Sequence, residues 1–336
     1  MRKSGRPTMV DVAADAGVSL KTVSRVVNGQ PHVDPALAAR VTASAEKLGF
    51  HRNALAASLR SGSRDTLGFV SADLTNTFYM TIAAAASAVA VGRGMQLIIA
   101  SSEEDAATER TLTLDLCQRR VGGLIVVPTA ADHTYLQAEV QRGTPVVFLD
   151  RPARGIQADE LLLDNRGGAR AALAELLAAG HRRIAVLLDK PDIFTMVERR
   201  AGVEEAFAAA GLTVDERVVV ADMHTPQAAR EAMTRLLASA EPPTAVFCAN
   251  NRSTIGALEA IVAADADIAL SGFDDFELSR LVPRRIRIVD YDAGELGRRA
   301  AELLLQRMVD PDGVEPTTVL LPTRLVDRGR EVRPRG

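Results

Sequence analysis

The feature that most restricts the fold of this chain is a series of apolar segments after residue 65 that alternate with segments of helical composition, such as MTIAAAASAVAVGRG. Strands that alternate with helices form parallel sheets covered on both faces. The first apolar segments are LGFVSADL (67–74), MQLIIASS (95–102), GGLIVVPT (122–129) and PVVFLDR (145–151). The alternation then begins again with RRIAVLLDK (182–190), RVVVADM (217–223), TAVFCAN (244–250) and DIALSGFDD (267–275). The sequence therefore predicts an α/β fold with two doubly wound parallel-sheet subdomains.

The composition is that of a globular chain without membrane segments. Of the 336 residues, 47% are hydrophobic and 25% are charged, which is enough to bury a substantial core. The longest apolar runs, such as GGLIVVP, are well short of the ~18 residues that a membrane-spanning helix needs, and the N-terminus MRKSGRPTMVDVA has no apolar signal region. Cys117 and Cys248 are far apart in apolar segments, which favours core positions over a disulfide or a metal site. We expect a cytoplasmic protein without a cofactor and without membrane contact.

The first 50 residues predict three short helices. Thr8 is placed to cap a helix over MVDVAADA, and Gly17 supplies its end. Ser19 is placed to cap a second helix, along which Val23, Val26 and Val27 form an apolar stripe. Asp34 followed by Pro35 opens a third helix, PALAARVTASAEKLG. Two short helices joined by a turn containing glycine, with a third behind them, indicate a helix-turn-helix unit.

Charge is divided unevenly along the chain. Residues 1–62 contain nine Lys or Arg residues and four acidic residues, a formal charge of +5, which leaves −8 for the rest of a chain whose total is −3. A basic module on an acidic body suggests an anionic partner, although the solvated face of an ordinary domain has the same composition. If the second helix enters a major groove, Arg25 can bind guanine O6 and N7 and Lys21 can reach a base edge or a phosphate. The pattern alone also fits a three-helix protein-binding module.

The stretches VDVAADAGVSLKTVSRVVNG and VDPALAARVTASAEKLGFHRNALAASLRSG resemble the DNA-binding headpiece and hinge of the lactose-repressor (LacI/GalR) family of bacterial transcription factors. The remainder follows the same family's order, so the resemblance covers nearly the whole chain. It implies that bases are read by Leu20, Lys21 and Arg25. It implies contacts with the DNA backbone by Thr8, Ser19, Thr22, Ser24, Asn28 and His32.

The segment NALAASLRSG at 53–62 is the candidate hinge. Its Ala and Leu residues favour a helix, but a helix this short is only marginally stable without packing or a bound partner. The resemblance implies that two such helices pair across a dimer in the minor groove, where Leu59 wedges between base pairs and Asn53 and Ala56 make further contacts. Arg52 stands where most family members have a proline, which leaves the start of the helix less fixed. An ordinary linker helix is the alternative.

The resemblance also implies domain boundaries. The headpiece is expected at 1–50, the hinge helix and linker at 51–65, and an effector-binding and dimerisation domain at 66–336. That domain should have the periplasmic-binding-protein-like arrangement, in which a ligand cleft lies between two subdomains. The chain is expected to cross between them near 162, 290 and 322, so that the N-subdomain comprises about 66–161 and 291–321 and the C-subdomain about 162–290 and 322–332.

Ligands of open parallel sheets lie beyond the carboxyl ends of the strands, where this chain has many polar residues. The resemblance implies that Arg199 grips the effector and that Asn250 and Asp274 bind hydroxyl groups. The full set of candidates is Asn76, Phe78, Asp150, Arg199, Asn250, Asp274 and Tyr291. Further polar residues at strand ends and at the first crossing are Asp73, Arg151, Asp164, Asn165, Asn251 and Asp275. Carboxylates, amides and an arginine beside aromatic rings suit a sugar or sugar derivative, but any one of these residues could instead cap a helix or form a turn.

Two departures from the family pattern obscure the effector. Asn251 and Arg252 stand where a member usually has an Asn-Asp pair followed by an uncharged residue, and EAIVAADADIALSGFDD lacks the usual loop before its strand. Arg252 could accept a carboxylate or phosphate of the ligand, or it could point to solvent.

Motifs of the common enzyme classes are missing from the sequence. There is no P-loop, GxSxG or HExxH motif, and VGRGM at 91–95 lacks the full dinucleotide fingerprint. We therefore predict a regulator rather than an enzyme: a repressor that binds operator DNA and responds to a small effector. The C-terminal LLPTRLVDRGREVRPRG contains no heptad helix, so a homodimer is expected. The alternatives are a sugar-binding protein of the transport class without DNA binding and, third, a sugar-modifying enzyme.

Overall fold

The computed structural model describes residues 7–27, 33–50, 65–310, 313 and 315–329. The chain divides into two compact units, Met1–Arg64 and Asp65–Gly336.

The smaller unit is helical. It contains α1 (Met9–Ala16), α2 (Leu20–Val27) and α3 (Pro35–Leu48). Thr8 caps α1 reciprocally with Asp11, and Gly17 ends it at φ 61°, in the left-handed region that glycine adopts without steric cost. The buried core consists of Val12, Ala16, Val23 and Val41. The predicted helix-turn-helix unit is confirmed.

The larger unit alternates strands and helices. Its strands are β1 (Thr66–Ser71), β2 (Gln96–Ser101), β3 (Gly123–Val126), β4 (Val146–Leu149), β5 (Asp159–Leu163), β6 (Ile184–Leu187), β7 (Val219–Val220), β8 (Ala245–Cys248), β9 (Ala269–Phe273), β10 (Ile286–Asp290), β11 (Thr318–Leu321) and β12 (Arg324–Arg328). Its helices are α4 (Thr77–Gly92), α5 (Ala106–Gln118), α6 (Gln137–Gln141), α7 (Asn165–Ala178), α8 (Phe194–Ala209), α9 (Pro226–Leu237), α10 (Asn251–Ala263) and α11 (Ala293–Val309). Short 3-10 turns lie at Thr134–Leu136, Glu216–Val218 and Ser279–Leu281.

These strands form two six-stranded sheets, and the predicted α/β class with two parallel-sheet subdomains is confirmed. The first sheet has the order β11-β5-β4-β3-β1-β2, and the second has the order β12-β10-β9-β8-β6-β7. Neighbouring strands pair in parallel, except that β12 is antiparallel to β10. The chain passes to the second sheet after β5, returns to the first after β10, and passes to the second again between β11 and β12.

Neighbouring helices pack closely where one of them carries a glycine. A Cβ on these glycines would meet a backbone oxygen of the facing helix: Gly202 on α8 at 2.2 Å from Arg166, Gly256 on α10 at 2.0 Å from Pro226, and Gly297 on α11 at 2.2 Å from Ile82. Atoms this close would have to shift, so these glycines permit the short helix–helix distances. The packing fixes α8 and α10, which carry residues of the cleft described below.

The strand predictions were wrong in part around two features. The run 217–223 forms only the short β7, because Asp215 accepts the backbone N–H of Arg217 and caps a 3-10 turn over Glu216–Val218. Strands β5, β10, β11 and β12 are not among the predicted strands. β5 has only three consecutive apolar residues, and Arg287 breaks the apolar pattern of β10. Both also carry an aspartate at one end that is bound to an arginine: Asp159 pairs with Arg307 at 2.7 Å, and Asp290 pairs with Arg324 at 2.9 Å.

Candidate nucleic-acid interface and ligand cleft

Helix α2 carries the candidate DNA-contacting residues of the smaller unit. Val23 is fully buried in the core of the unit, whereas Leu20 is 49% exposed. Lys21 is exposed as well, and Ser24 and Arg25 are half-buried. An exposed apolar side chain beside a lysine suits contact with a thymine methyl group and a base edge or phosphate. The structure thus brings these residues together on one helix, and their individual contacts with bases stay predictions.

Hydroxyl groups predicted to bind the DNA backbone already have roles in this unit. Thr8 Oγ1 lies 2.7 Å from Asp11 Oδ2. Ser19 Oγ accepts the backbone N–H of Thr22 at 3.1 Å, and the two hydroxyls lie 2.9 Å apart. These contacts cap α1 and α2, so phosphate binding by the same groups remains a prediction. The other candidates, Asn28, His32, Asn53, Ala56 and Leu59, lie outside the described residues.

The predicted ligand residues meet in a cleft of the larger unit. Residues that follow β1, β4, β6, β8 and β9 line a central cavity of about 50 Å³, here called the inner cavity. Its lining includes Asn76, Phe78, Asp150, Arg199, Asn250 and Asp274. Tyr291 lies behind them, with its ring edge-on to Phe78 at 5.7 Å between centroids. Wider recesses of about 530 and 400 Å³ adjoin the inner cavity and share Arg252 and Arg151 with it, respectively.

Two aspartates occupy equivalent positions in the two halves of the cleft. Asp150 follows β4 with φ 69°, and Asp274 follows β9 with φ 68°, a left-handed conformation that Asp tolerates better than most residues. The Tyr79 hydroxyl donates to Asp150 Oδ2 at 3.1 Å, and the Tyr291 hydroxyl donates to Asp274 Oδ1 at 2.5 Å. Burial holds the pKa of both phenols well above the usual value, so both remain protonated donors. Burial likewise raises the pKa of Asp150. Each half therefore presents one buried carboxyl group held by a tyrosine.

Arg199 on α8 is 4% exposed, and its guanidinium group is held on several sides. Nε donates to Asn165 Oδ1 at 2.8 Å, and Nη1 donates to the backbone oxygen of Ala249 at 2.5 Å. The two terminal nitrogens also bind both oxygens of Asp274, at 3.1 and 3.3 Å. The group stacks on Phe273, with Cζ 3.6 Å from the ring centroid. Arg199 therefore positions Asp274, and a direct grip on a ligand stays a prediction.

The cleft also contains Glu104 and Asp189, two charged residues that were not predicted from the sequence. Glu104 accepts two hydrogen bonds from Arg151, at 2.8 and 2.6 Å. Asp189 lies 3.2 Å from His224 Nδ1 and accepts from Asn250 Nδ2 at 3.2 Å. Asp189 ends the apolar run 182–190, so the strand-end rule that gave Asp150 and Asp274 would have found it.

Other residues of the predicted strand ends have structural roles. Asp164 caps α7 by accepting the N–H of Gly167 at 2.8 Å. Asp275 pairs with Arg328 at 2.7 Å, and Asn250 Oδ1 accepts the N–H of Ser253 at 2.7 Å to cap α10. Asp164 therefore serves as a helix cap and Asp275 as an ion-pair partner, and these roles explain both side chains without a ligand.

Arg252 bridges the cleft. Its Nη2 binds Asp73 Oδ2 at 2.5 Å and Thr75 Oγ1 at 2.7 Å, both beyond β1 in the first half, whereas Arg252 itself lies on α10 in the second half. Asn251 Nδ2 donates to Asn76 Oδ1 at 3.3 Å beside this pair. Burial alone would raise the pKa of Asp73. Hydrogen bonds from Thr75 and Arg252 outweigh this effect and hold the pKa below its usual value. The bridge is therefore ionic at neutral pH, and Arg252 does not simply point to solvent.

We expect Arg252 and Asp73 to be energetically coupled. Side chains in one ion-pair network typically show interaction energies of ~0.5–3 kcal/mol in a double-mutant cycle. Urea unfolding of Arg252→Ala, Asp73→Ala and the double variant should give a coupling within that range. The control cycle is Arg298 with Asp292, an exposed pair at 3.0 Å, for which the expected coupling is ~1 kcal/mol or less. Additive effects of Arg252→Ala and Asp73→Ala would contradict the bridge.

Within the described part of the chain, no helix is long and apolar enough to cross a membrane. The same residues contain no group of three or more His, Cys, Asp or Glu side chains placed to hold a metal ion.

Each of the two units matches a known protein family. A model of the bacterial regulatory proteins of the lacI family matches residues 8–53, and a model of the periplasmic binding protein-like domain matches residues 173–329. The HTH-type transcriptional regulator GalR of Escherichia coli (strain K12) is 31% identical over 320 residues, which cover 94% of this chain and 93% of GalR. Similar structures include a complex of the transcriptional regulator CelR with cellobiose (TM-score 0.69, 30% identity, 96% of this chain and 98% of that one). Another is the Lac repressor dimer bound to operator and the anti-inducer ONPF (TM-score 0.81, 26% identity, 96% and 98%).

Proposed function

The chain belongs to the lacI family of bacterial regulatory proteins, which are DNA-binding transcriptional regulators, and we propose that it is a repressor whose affinity for operator DNA changes when a small sugar or sugar derivative binds in the cleft. The observation that carries the proposal is the inner cavity, where carboxylate, amide and guanidinium groups from both halves converge. A ligand that touches both halves can bind their two arrangements with different affinity, which is the requirement for control at a distance.

The DNA-binding part of the proposal is supported by α2. Its buried valine and its exposed Leu20 and Lys21 leave one side of the helix for a partner, and the unit to which it belongs is the basic part of an acidic chain. We propose base contacts by Leu20, Lys21 and Arg25. Minor-groove contacts by residues 53–62 and the boundaries of the hinge at 51–65 are proposed from the family resemblance alone.

The carbohydrate part is supported by the chemistry of the cleft. Carboxylate and amide groups pair with hydroxyl groups as donors and acceptors, and the aromatic rings of Phe78 and Tyr79 can cover the apolar face of a sugar ring. The similar regulator that was solved with cellobiose binds a carbohydrate. The relatives are regulators rather than enzymes, and we propose no catalytic role for the cleft.

A homodimer is supported by the edge of the first sheet. Strand β2 lies at that edge, and its Ile98 and Ile99 are 41% and 42% exposed. Successive strand residues point to opposite faces, so β2 exposes an apolar side chain on each face of the sheet edge, as expected where a partner covers that edge. The similar Lac repressor structure is a dimer on its operator. We propose that β2 lies in the contact between two copies of this chain.

Selection of duplexes from a random DNA library by the full-length protein tests the proposal. A homodimer of helix-turn-helix units should enrich a sequence with two inverted half-sites, because the symmetry of the site mirrors the symmetry of the protein. Binding of all duplexes with equal affinity would contradict a regulator that recognises an operator.

Arg25→Ala should weaken binding to the selected duplex by ~1–3 kcal/mol and relax the preference at one base pair of each half-site, because it removes a bidentate guanine contact. Fluorescence anisotropy on the selected duplex and on random duplexes separates this loss from a general loss of charge. Lys47→Ala is the control, because Lys47 pairs with Asp15 at 2.7 Å and its removal subtracts the same charge from the unit. An equal loss on both kinds of duplex would show that Arg25 does not read a base.

A further inference from the structure

We propose that the ligand of the cleft is an uncharged polyhydroxylated molecule, a neutral sugar or glycoside, and that the protein's own carboxylates exclude sugar phosphates and sugar acids. The proposal rests on the proposed function, because it assumes that a small molecule binds in this cleft. The proposal specifies the net charge of the ligand, which the fold alone does not determine.

The guanidinium groups of the inner cavity are already paired. Among the described residues that line it, the pairs are Arg151 with Glu104 at 2.6 Å, Arg199 with Asp274 at 3.1 Å and Arg252 with Asp73 at 2.5 Å. The arginine side chains are 9%, 4% and 17% exposed, so the pairs are largely removed from water. A phosphate or carboxylate of a ligand would meet arginines whose charge is already neutralised by a protein carboxylate, so it would gain little attraction from them. If it displaced one of these partners, the displaced carboxylate would lie buried without a counter-charge, which is strongly unfavourable.

The net charge of the lining also disfavours an anion. The inner cavity is lined by five carboxylates and three guanidinium groups, a formal charge of −2 with His224 neutral. Like charges placed side by side in a cleft cost several kcal/mol. A neutral ligand avoids this repulsion, and its hydroxyl groups can still donate to the carboxylates.

Two polar atoms without partners indicate hydroxyl groups in particular. Among the described residues, Asn251 Oδ1 lacks a hydrogen-bond donor and Arg151 Nε lacks an acceptor, and both atoms are buried. Asn251 lines the larger recess, and Arg151 lines the inner cavity and the smaller recess. The anionic group of a sugar phosphate or sugar acid can only accept, so that group cannot satisfy Asn251 Oδ1. A hydroxyl group both donates and accepts, so it can satisfy either atom.

Two further cations among the described residues near the cleft lie outside the inner cavity. Lys190 lines both recesses and Arg154 lines the smaller one, but neither lines the inner cavity, and both are exposed. A lysine in water offers an anion little affinity, because the charge interaction there is weak and screened by salt. Lys190 and Arg154 therefore do not make the cleft a site for anionic ligands.

Thermal unfolding of the full-length protein with matched ligands tests the proposal. Each neutral sugar or glycoside is paired with its phosphorylated, uronic-acid and amino counterparts at equal concentration and ionic strength, and each compound that raises the unfolding midpoint is then titrated by calorimetry. We expect a neutral compound to bind, with each anionic counterpart weaker by at least ~10-fold. Equal or tighter binding of an anionic or amino counterpart would overturn the inference and leave the proposed function standing. If no compound of any class binds, the proposed effector function fails, and the inference fails with it.

A matched pair of variants tests whether the carboxylates exclude anions. Glu104→Gln frees Arg151 from its counter-charge, so the affinity ratio between a neutral ligand and its phosphorylated counterpart should fall. Glu139→Gln removes the same charge from a residue that pairs with Arg142 and lines neither the inner cavity nor either recess, and it should keep the wild-type ratio. Should Glu104→Gln fail to fold, Asp73→Asn makes the same test at Arg252. An unchanged ratio in the variant that frees the arginine would overturn the exclusion mechanism.

Discussion

Replacing Arg199 with alanine is expected to destabilise the larger unit by ~3–5 kcal/mol, because removal of one partner of a buried ion pair leaves the other charge buried without compensation. The stranded group is Asp274, which both terminal nitrogens of Arg199 bind. Asn165 Oδ1 and the backbone oxygen of Ala249 lose their donors at the same time. Urea unfolding followed by circular dichroism measures the loss. Ligand-induced stabilisation should disappear as well, because Asp274 lines the inner cavity.

Arg200→Ala is the matched control for this prediction. Arg200 is the next residue on α8 and also binds two carboxylates, Glu204 and Glu216, but those carboxylates are 55% and 67% exposed. Surface pairs of this kind contribute ~1 kcal/mol or less. If Arg199→Ala lowered the free energy of unfolding no more than Arg200→Ala does, the buried contacts of Arg199 would not stabilise the cleft as expected.

The architecture could be predicted from the sequence where a strand is a continuous apolar run. β1, β3, β4, β6, β8 and β9 are buried strands of this kind, and the runs that contain them were predicted. β5, β10, β11 and β12 could not be found in the same way. In β5 the apolar run is only three residues long, and in β10 it is broken by Arg287. The charges at their ends are neutralised by distant residues, as Asp159 is by Arg307, and no local pattern reveals such a partner. The caps of α1 and α3 depend on neighbouring residues only, so Thr8 and Asp34 could be identified.

For the cleft, the sequence predicted some of the residues that line it but not their pairing. Asp150 and Asp274 follow buried strands, and this position alone predicts that they face a ligand. The partner of Arg252 is Asp73, 179 positions earlier in the chain, and the two meet only because the halves of the larger unit close on each other. The charge class of the ligand depends on that closure, so it could not be predicted before the structure was known.

Ligand binding is expected to change the affinity for operator DNA. The inner cavity of about 50 Å³ adjoins recesses of about 530 and 400 Å³, and Arg252 and Asp73 line both the inner cavity and the larger recess. A ligand that contacts both halves there can change the bridge between Arg252 and Asp73. Because an effector can shift an equilibrium only by its differential affinity for two arrangements, a change in the arrangement of the two halves is the event that can reach the DNA-binding unit. Coupling of this kind typically amounts to ~1–3 kcal/mol, or roughly 5–150-fold in affinity.

The most direct test of control from the cleft is the affinity of the full-length protein for its selected duplex. It is measured with and without a saturating concentration of a neutral sugar that raises the unfolding midpoint. Fluorescence anisotropy at constant ionic strength gives both dissociation constants. We expect the two constants to differ by roughly 5–150-fold, and we expect Asp274→Asn to reduce the difference at the same sugar concentration. Identical dissociation constants at saturating sugar would contradict a regulator whose DNA binding is controlled from this cleft.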